Sequence, residues 1–205
     1  MKKFLVPIIA VLILMTITSC AGLKDTITNV QRLQFKLGGV SGFTVAGVGL
    51  QNYSSPSNIN PLDLLKLTSS FTKGQLPVNF TLDLLAKNPD DGTGGAKESS
   101  QIIKKIEWRL LVDNQETING IIGNSITIPG VGQTATIPVQ ISLDLMQYFR
   151  NGQLDNLINL AMALGGKNSS ASRLTLKIKP TVETFLGEIT YPGEIQVIDK
   201  EFRAQ

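Results

Sequence analysis

Hydrophobic and polar residues alternate along several short segments of the chain, and this two-residue period constrains the fold more than any other feature. The clearest example is TIPVQISLDL, in which Ile137, Val139 and Ile141 alternate with Pro138 and Gln140. Successive side chains of a β-strand point to opposite faces of a sheet, so the segment predicts a strand with one buried and one solvated face. Pro138 cannot donate a backbone hydrogen bond, which predicts an edge strand or a bulge.

The same period recurs in segments separated by Gly, Asn and Pro residues, which are typical of turns. Further strand candidates are RLQFKL, FTVAGVGLQ, SITIP, GEITYPG and EIQVI. About eight short strands predict a mainly β fold, an antiparallel β-sandwich rather than a series of βαβ units. The residues expected on buried strand faces include Val78, Phe80, Leu82 and Leu84 in LPVNFTLDLLAK, Ile106, Trp108, Leu110 and Val112 in IEWRLLV, Leu143 and Leu145 in TIPVQISLDL, and Leu174, Leu176 and Ile178 in RLTLKIKPTV.

Two segments predict helices inserted among the strands. NPLDLLKLTSSFTKG has Asn60 as a helix N-cap, Pro61 at the first helical position and Gly74 as a stop signal. DLMQYFRNGQLDNLINLAMALGG has an apolar helical face and ends at Gly165 and Gly166. We favour packing of that face against the sandwich over contact with a lipid or a partner protein. The face comprises Leu154, Leu157, Leu160, Ala161 and Leu164.

The first twenty residues, MKKFLVPIIAVLILMTITSC, have the organisation of a signal peptide. Lys2 and Lys3 precede a hydrophobic run that is short compared with the roughly twenty residues needed to span a bilayer. The run ends in ITSC, which resembles the lipobox of bacterial lipoproteins, whose cysteine is acylated and becomes the first mature residue. Cys20 is the only cysteine, so acylation explains a single thiol in an oxidising compartment. The alternative is an ordinary signal peptide with a chance cysteine.

The lipobox resemblance implies a division of the chain into residues 1–19 as signal peptide, 20–29 as tether and 30–205 as the folded domain. Cys20 is then the lipid attachment site. An Asp directly after the cysteine commonly retains Gram-negative lipoproteins at the inner membrane, but Ala21 occupies that position. We therefore expect a lipid-anchored protein of the cell envelope, at the outer membrane and facing the periplasm.

Composition narrows the function further. Removing residues 1–19 from the 205-residue chain leaves 186 residues, with 17 of the 19 Lys and Arg residues against 16 Asp and Glu. This near-neutral charge gives no electrostatic basis for binding nucleic acid. The chain has no histidine, which removes Ser-His-Asp and Cys-His nucleophiles and His-ligated metals. We expect no enzyme, no catalytic residues and no cofactor; the enzymatic alternative is a carboxylate-based glycosidase.

Asp90 and Asp91, in LLAKNPDDGTGG, are the strongest candidates for a metal-binding loop. A calcium loop of the EF-hand type needs oxygen ligands at its first, third and fifth positions. Counting from Asp90 places Gly92 and Gly94 at the third and fifth. We therefore expect no metal site, and we interpret both aspartates as turn residues in a long hairpin-like connection to the next strand.

Three segments together resemble the late-embryogenesis-abundant type 2 (LEA14-like, or WHy) domain. They are VNFTLDLLAKNPDD, IKKIEWRLLVDNQETINGIIG and TIPVQISLDL, within residues 76–145. Asn88-Pro89 matches the hallmark turn, Gly120 the glycine after the second strand, and Ile137-Pro138-Val139 the third strand. The resemblance implies an antiparallel sandwich of immunoglobulin or fibronectin-III-like topology, without catalytic residues and associated with desiccation and general stress. A longer loop after Asn-Pro and helical insertions near residues 60–73 and 146–166 depart from the pattern.

These observations predict a non-enzymatic, membrane-anchored envelope lipoprotein whose LEA14-like domain is a binding or protective module under desiccation or other stress. The alternative is a periplasmic protein that binds lipid or another apolar ligand beneath the Leu154–Leu164 helix. The expected partners are a membrane, through the N-terminal lipid, and an envelope protein or apolar ligand. Nucleic acid is not expected.

Overall fold

The computed structural model describes residues 33–89, 100–112, 114–130, 132–149, 154–164, 174–184 and 186–197. Short 3-10 turns lie at Leu50–Asn52 and Pro56–Asn58. The other elements within these ranges are β1 (Gln34–Val45), α1 (Pro61–Thr72), β2 (Pro77–Lys87), β3 (Gln101–Val112), β4 (Gln115–Ile122), β5 (Ile126–Ile128), β6 (Thr134–Asp144), α2 (Leu145–Tyr148), α3 (Leu154–Leu164), β7 (Leu174–Thr184), β8 (Gly187–Thr190) and β9 (Ile195–Val197).

The strands form two antiparallel sheets. One has the order β1-β2-β6, and the other has the order β4-β3-β7-β8, with β5 also paired to β3 and β9 to β7. Both sheets contribute to one hydrophobic core, as two facing layers do in a β-sandwich. The predicted mainly β sandwich with inserted helices is confirmed.

Alternation correctly identified the core-facing side of the strands. Each residue that it placed on a buried face of β2, β3, β6 or β7 is at most 9% exposed. One departure occurs at the start of β3, where Ile103 and Ile106 are both buried although an odd number of positions separates them. The pairing of β3 with β7 shifts register between Ile103 and Lys105, so an irregularity in the ladder returns Ile103 to the core.

Strand β6 lies at an edge of its sheet, as Pro138 predicted. Its described ladder runs along β2 alone, and Pro138 lies opposite Asp83. An edge strand tolerates proline because the backbone amides on its outer side have no neighbouring strand to which they would donate hydrogen bonds.

The predicted hairpin-like connection between LPVNFTLDLLAK and IEWRLLV is wrong, because β2 and β3 belong to different sheets. Asn88-Pro89 therefore follows a strand of one layer, and the next described strand, β3, belongs to the other. Gly120, which matches the glycine after the second strand of the pattern, lies inside β4, opposite Trp108. In FTVAGVGLQ only Phe43–Val45 is strand, because Ala46 and Gly47 turn the chain with positive φ angles.

The sandwich has two distinct ends. At the first, which we call the tether end, Gln34 pairs with Lys87, and Lys87 pairs with Thr134. At the opposite end, which we call the helix end, Val45 pairs with Val78, and α1 leads into β2. Since β2 has 11 residues, the two ends are about 36 Å apart at about 3.3 Å per residue.

Helix α1 begins and ends where the sequence predicted. The Asn60 side chain accepts a hydrogen bond from the Asp63 amide (2.9 Å), and Pro61 occupies the first turn. Gly74 follows the helix with φ +73°, a conformation that glycine adopts without strain. Its amide donates to Phe71, and the next amide donates to Ser70, which together close the last turn as a Schellman motif.

The second predicted helical segment forms two helices. Asp144 caps α2 by accepting a hydrogen bond from the Met146 amide (3.0 Å). Residues 150–153 lie outside the described ranges, as do Gly165 and Gly166, so the predicted stop of α3 is untested. The apolar face of α3 packs into the core, which confirms the favoured interpretation; its buried members are Leu157, Ile158, Leu160, Ala161 and Met162.

Candidate binding surfaces

The predicted anchor precedes the part of the chain that the structure describes. Cys20, the signal peptide and the tether lie outside the described residues, which begin at Leu33. Leu33 is fully buried at the tether end, where it makes a backbone hydrogen bond to Tyr191. Burial raises the pKa of Tyr191 above its usual range, so its hydroxyl remains protonated. The start of the domain is thereby held against the segment between β8 and β9. No helix within the described ranges is long and apolar enough to cross a membrane.

The Asn88-Pro89 turn is an anchored part of the fold. Asn88 is fully buried, and its backbone exchanges hydrogen bonds with the loop before β6: its amide donates to Gln133 (3.2 Å), and its carbonyl accepts from Gly132 (2.7 Å). Asp90 and Asp91 lie outside the described residues, and the turn interpretation of them stays a prediction. Across the described ranges, no group of three His, Cys, Asp or Glu side chains is close enough to hold a metal ion.

A charged depression of about 290 Å³ lies on the outer face of the larger sheet. At its centre, Arg109 on β3 donates to Glu116 on β4 (Nη1 to Oε2, 2.7 Å) and to Glu194, which precedes β9 (Nη2 to Oε2, 2.6 Å). The Nε of Arg109 also donates to Glu194 at 3.2 Å. One guanidinium thus connects two carboxylates that are distant in sequence, and this fixes their spacing across the sheet.

The electrostatics of this depression suit polar recognition. Hydrogen bonds to Glu194 and Glu116 raise the pKa of Arg109, which remains a cation. The Lys105 ammonium, 2.7 Å from Glu107, lowers the pKa of that carboxyl. A general acid at neutral pH needs a raised carboxyl pKa, whereas Glu107 is held ionised. Glu107 therefore acts as a hydrogen-bond acceptor in this surface.

A second polar network surrounds the first turn of α1. The Tyr53 hydroxyl donates to Asp63 (2.7 Å), and Lys66 donates to the other carboxylate oxygen of Asp63 (2.9 Å). The Asn60 side-chain amide donates to both Tyr53 and Asp63. The Lys66 and Tyr53 hydrogen bonds lower the pKa of Asp63, while the hydrogen bond to Asp63 raises the pKa of Tyr53. The negative carboxylate also lies at the positive end of the helix dipole.

This network predicts a measurable titration. In the folded protein, the pKa of Asp63 should lie below its ordinary value of about 3.9. The Lys66→Met substitution should raise it toward that value, because the largest cause of the shift is removed. Because the pKa of Asp63 is lower in the folded than in the unfolded protein, the ionised carboxylate stabilises the fold at pH values above the unfolded pKa. This stabilisation is lost as the pH falls through the folded pKa. Carboxyl NMR titration of both forms tests this; equal Asp63 pKa values would contradict it.

The outer side of α1 carries a concentration of exposed hydrophobic residues. Leu62 is 73% exposed, Leu64 is 42% exposed and Leu65 is 66% exposed, whereas Leu67 is fully buried against the sandwich. Leu65 also lines a depression of about 460 Å³ between α1 and the start of β2. The other lining side chains that matter here are Lys66, Lys73, Ser69 and Ser70. Sequence reasoning missed this surface, although Leu62 and Leu65 are three positions apart and turned away from Leu67, a pattern that a helical projection reveals.

Binding of an apolar ligand beneath α3 stays a prediction. Of the side chains expected to line a cleft there, Leu157, Leu160 and Ala161 are buried members of the core cluster, and Leu154 is partly buried against it. The exposed leucines lie on α1, at the helix end.

Comparison with known proteins gives the following similarities. No protein-family model matches the chain. A search of the curated proteins also finds no match. Among solved structures, the crystal structure of a protein from Archaeoglobus fulgidus is similar with a TM-score of 0.33, at 10% identity, covering 63% of this chain and 86% of that one. The solution structure of AT1g01470 from Arabidopsis thaliana has a TM-score of 0.30, at 20% identity, covering 59% of this chain and 71% of that one. Since both TM-scores are below 0.5, we base the fold on the strand pairing and shared core described above.

Proposed function

We propose that the protein is a non-enzymatic lipoprotein of the cell envelope, anchored through acyl chains on Cys20, with a LEA14-like β-sandwich that acts as a binding or protective module. The observation that carries the proposal is the position of Cys20. It is the only cysteine of the chain, and it ends an apolar segment of signal-peptide length at the position that a lipobox requires.

The arrangement of the domain supports anchoring. Twelve residues, 21–32, separate Cys20 from the first described residue, Leu33, which makes thirteen Cα-to-Cα steps. Fully extended, such a segment spans about 45 Å at about 3.4 Å per residue. Leu33 is fixed at the tether end by burial and by its hydrogen bond to Tyr191. A pull on the anchor is therefore transmitted to a buried point of the sandwich.

The proposed non-enzymatic role is supported by the chemistry of the surfaces. The chain has no histidine, and a lone acylated cysteine cannot act as a nucleophile. In the charged depression, Arg109 and Glu107 are each held in their charged forms by close partners. Such groups recognise polar partners by fixed hydrogen bonds. We propose placement at the outer membrane, facing the periplasm, because Ala21 lacks the retention signal of an Asp.

The stress-related part of the proposal comes from the resemblance of residues 76–145 to the LEA14-like domain. We expect a deletion strain to survive drying or osmotic shock less well than its parent. The wild-type gene should restore survival, and a Cys20→Ala gene should restore it less well because its product carries no lipid and keeps residues 1–19. Colony counts after drying and rehydration measure this. Equal survival of parent and deletion strains would remove the stress role and leave the anchor unaffected.

A further inference from the structure

The outer face of α1 combines apolar and basic side chains in an arrangement that suits a lipid surface. Leu62, Leu65 and Ser69 are spaced by three and four residues, so they lie along one side of the helix. Lys66 is 61% exposed at its side chain and lies one turn beyond Leu62, while Lys73 follows Ser69 by four residues. Three of the five large hydrophobic residues that are exposed in the described part of the chain are in this one helix.

We propose that this face of α1 docks on the surface of a bilayer that contains anionic phospholipids, the same membrane that holds the acyl chains of Cys20. The inference rests on the proposed function, because the anchor supplies the membrane. An amphipathic helix with leucines on one side and lysines beside them lies in the plane of the interface, with its apolar side chains toward the acyl region.

Charge complementarity selects the occupant. The depression beside Leu65 is lined by Lys66 and Lys73 together with the hydroxyls of Ser69 and Ser70, and its lining contains no carboxylate. Lys66 does contact Asp63, at 2.9 Å, which lies outside that lining. Ammonium groups and hydroxyls are suited to the phosphate oxygens of lipid headgroups. An electroneutral protein surface would match the leucines but not the two lysines, whereas anionic phospholipid matches both.

The reach of the tether permits this docking. The two ends of the sandwich are about 36 Å apart, while the thirteen Cα-to-Cα steps from Cys20 to Leu33 span up to about 45 Å. The tether is therefore long enough for the helix end of an anchored domain to reach the same membrane. A shorter length of tether suffices when the long axis of the sandwich lies parallel to the membrane. Two leucines and two lysines bind a bilayer only weakly. Anchoring makes the contact intramolecular and so raises the effective concentration of α1 at the membrane. A weak contact is then formed for a large fraction of the time.

The test uses the acylated full chain, purified in detergent and reconstituted into vesicles of phosphatidylcholine with or without phosphatidylglycerol. A Ser69→Cys variant carries a nitrobenzoxadiazole fluorophore at position 69, which is exposed on this face. Since acylation blocks Cys20, the new cysteine is the only free thiol. We expect the emission of the fluorophore at least to double on phosphatidylglycerol vesicles, and to be quenched by nitroxide-labelled lipids.

Matched variants separate the contributions. Leu62→Gln with Leu65→Gln should abolish the increase, and Lys66→Gln with Lys73→Gln should abolish the difference between the two vesicle types. Leu186→Gln, which changes a leucine that is 54% exposed elsewhere on the surface, should leave the increase unchanged. The emission of the single tryptophan, Trp108, verifies that each variant is folded.

Each other outcome overturns the proposal in a recognisable way. If the protein floats with the vesicles but the emission of the fluorophore at position 69 does not change, docking is refuted and the anchor is unaffected. An increase that depends on protein density and not on phosphatidylglycerol indicates contact between two copies of the chain. A chain that fails to float and whose Cys20 accepts the fluorophore refutes the anchor, and with it the docking that depends on the anchor.

Discussion

Replacing Trp108 by alanine is expected to lower the free energy of unfolding by about 3–5 kcal/mol, the range for removing a large aromatic side chain from a core. Trp108 is 9% exposed and lies on the core-facing side of β3, the strand that pairs with β4, β5 and β7. Truncation leaves a cavity that these neighbouring strands cannot close, because their ladders fix their positions. Denaturant unfolding monitored by far-UV circular dichroism measures the change.

Gly120 determines how the tryptophan ring packs. A Cβ atom added to Gly120 would lie 2.5 Å from Cζ2 and 2.8 Å from Cε2 of Trp108, closer than real Cβ contacts occur. Gly120→Ala should therefore destabilise the fold by about 1–3 kcal/mol through overpacking. In the Trp108→Ala background the same substitution should have little further effect, since the ring is gone.

A neighbouring glycine provides the control for this double-mutant cycle. Gly123 has no atom within 4 Å of an added Cβ, so Gly123→Ala should leave stability almost unchanged. If Gly120→Ala costs as much in the absence of Trp108 as in its presence, contact with the ring is not the reason for the glycine, and our account of this pair is wrong.

Replacing Cys20 by alanine is expected to abolish the incorporation of labelled fatty acid completely and to leave a precursor that retains residues 1–19. The thiol is the group that the acyl-bearing glyceryl unit would modify, and alanine offers no substitute for it. Each buried methylene contributes about 0.8 kcal/mol, so two or three acyl chains hold a protein on a membrane for long periods, whereas one chain binds marginally. Pulse labelling with radioactive fatty acid, followed by electrophoresis, measures both the label and the size of the chain.

A neighbouring substitution controls for damage to the signal peptide. Ser19→Ala keeps a small residue immediately before the cysteine, so the variant should be labelled and cleaved like the wild type. If the Cys20→Ala variant is labelled at the wild-type level, the lipid is attached at another residue and the prediction for Cys20 is wrong.

Local features of the sequence were sufficient to predict which residues face the core. The period of two placed Val78, Ile106 and Ile137 inside, and it did so because a buried face must be apolar along its whole length. Pro138 marked an edge strand, and Asn60 and Gly74 marked the ends of a helix, because each of these residues has a direct effect on backbone hydrogen bonding or φ. These are short-range constraints.

Long-range arrangement could not be predicted in the same way. The period of a strand specifies its buried face but not its neighbour, so β2 and β3 seemed to form a hairpin although they lie in different sheets. The role of Gly120 depends on a tryptophan across the ladder, twelve positions earlier in the chain. The exposed leucines of α1 gave no functional prediction, because a cap and a stop signal specify where a helix begins and ends but not which of its sides faces away from the sandwich.

The most direct test of the account is the intact mass of the mature protein extracted from membranes. We predict a chain that begins at Cys20 and is heavier than its sequence by a diacylglyceryl group on the thiol and an acyl chain on the new amino group. Digestion with trypsin should place the added mass on the peptide from Cys20 to Lys24. A mature chain that begins at another residue, or one whose Cys20 carries a free thiol, would contradict the lipid anchor on which the proposed function depends.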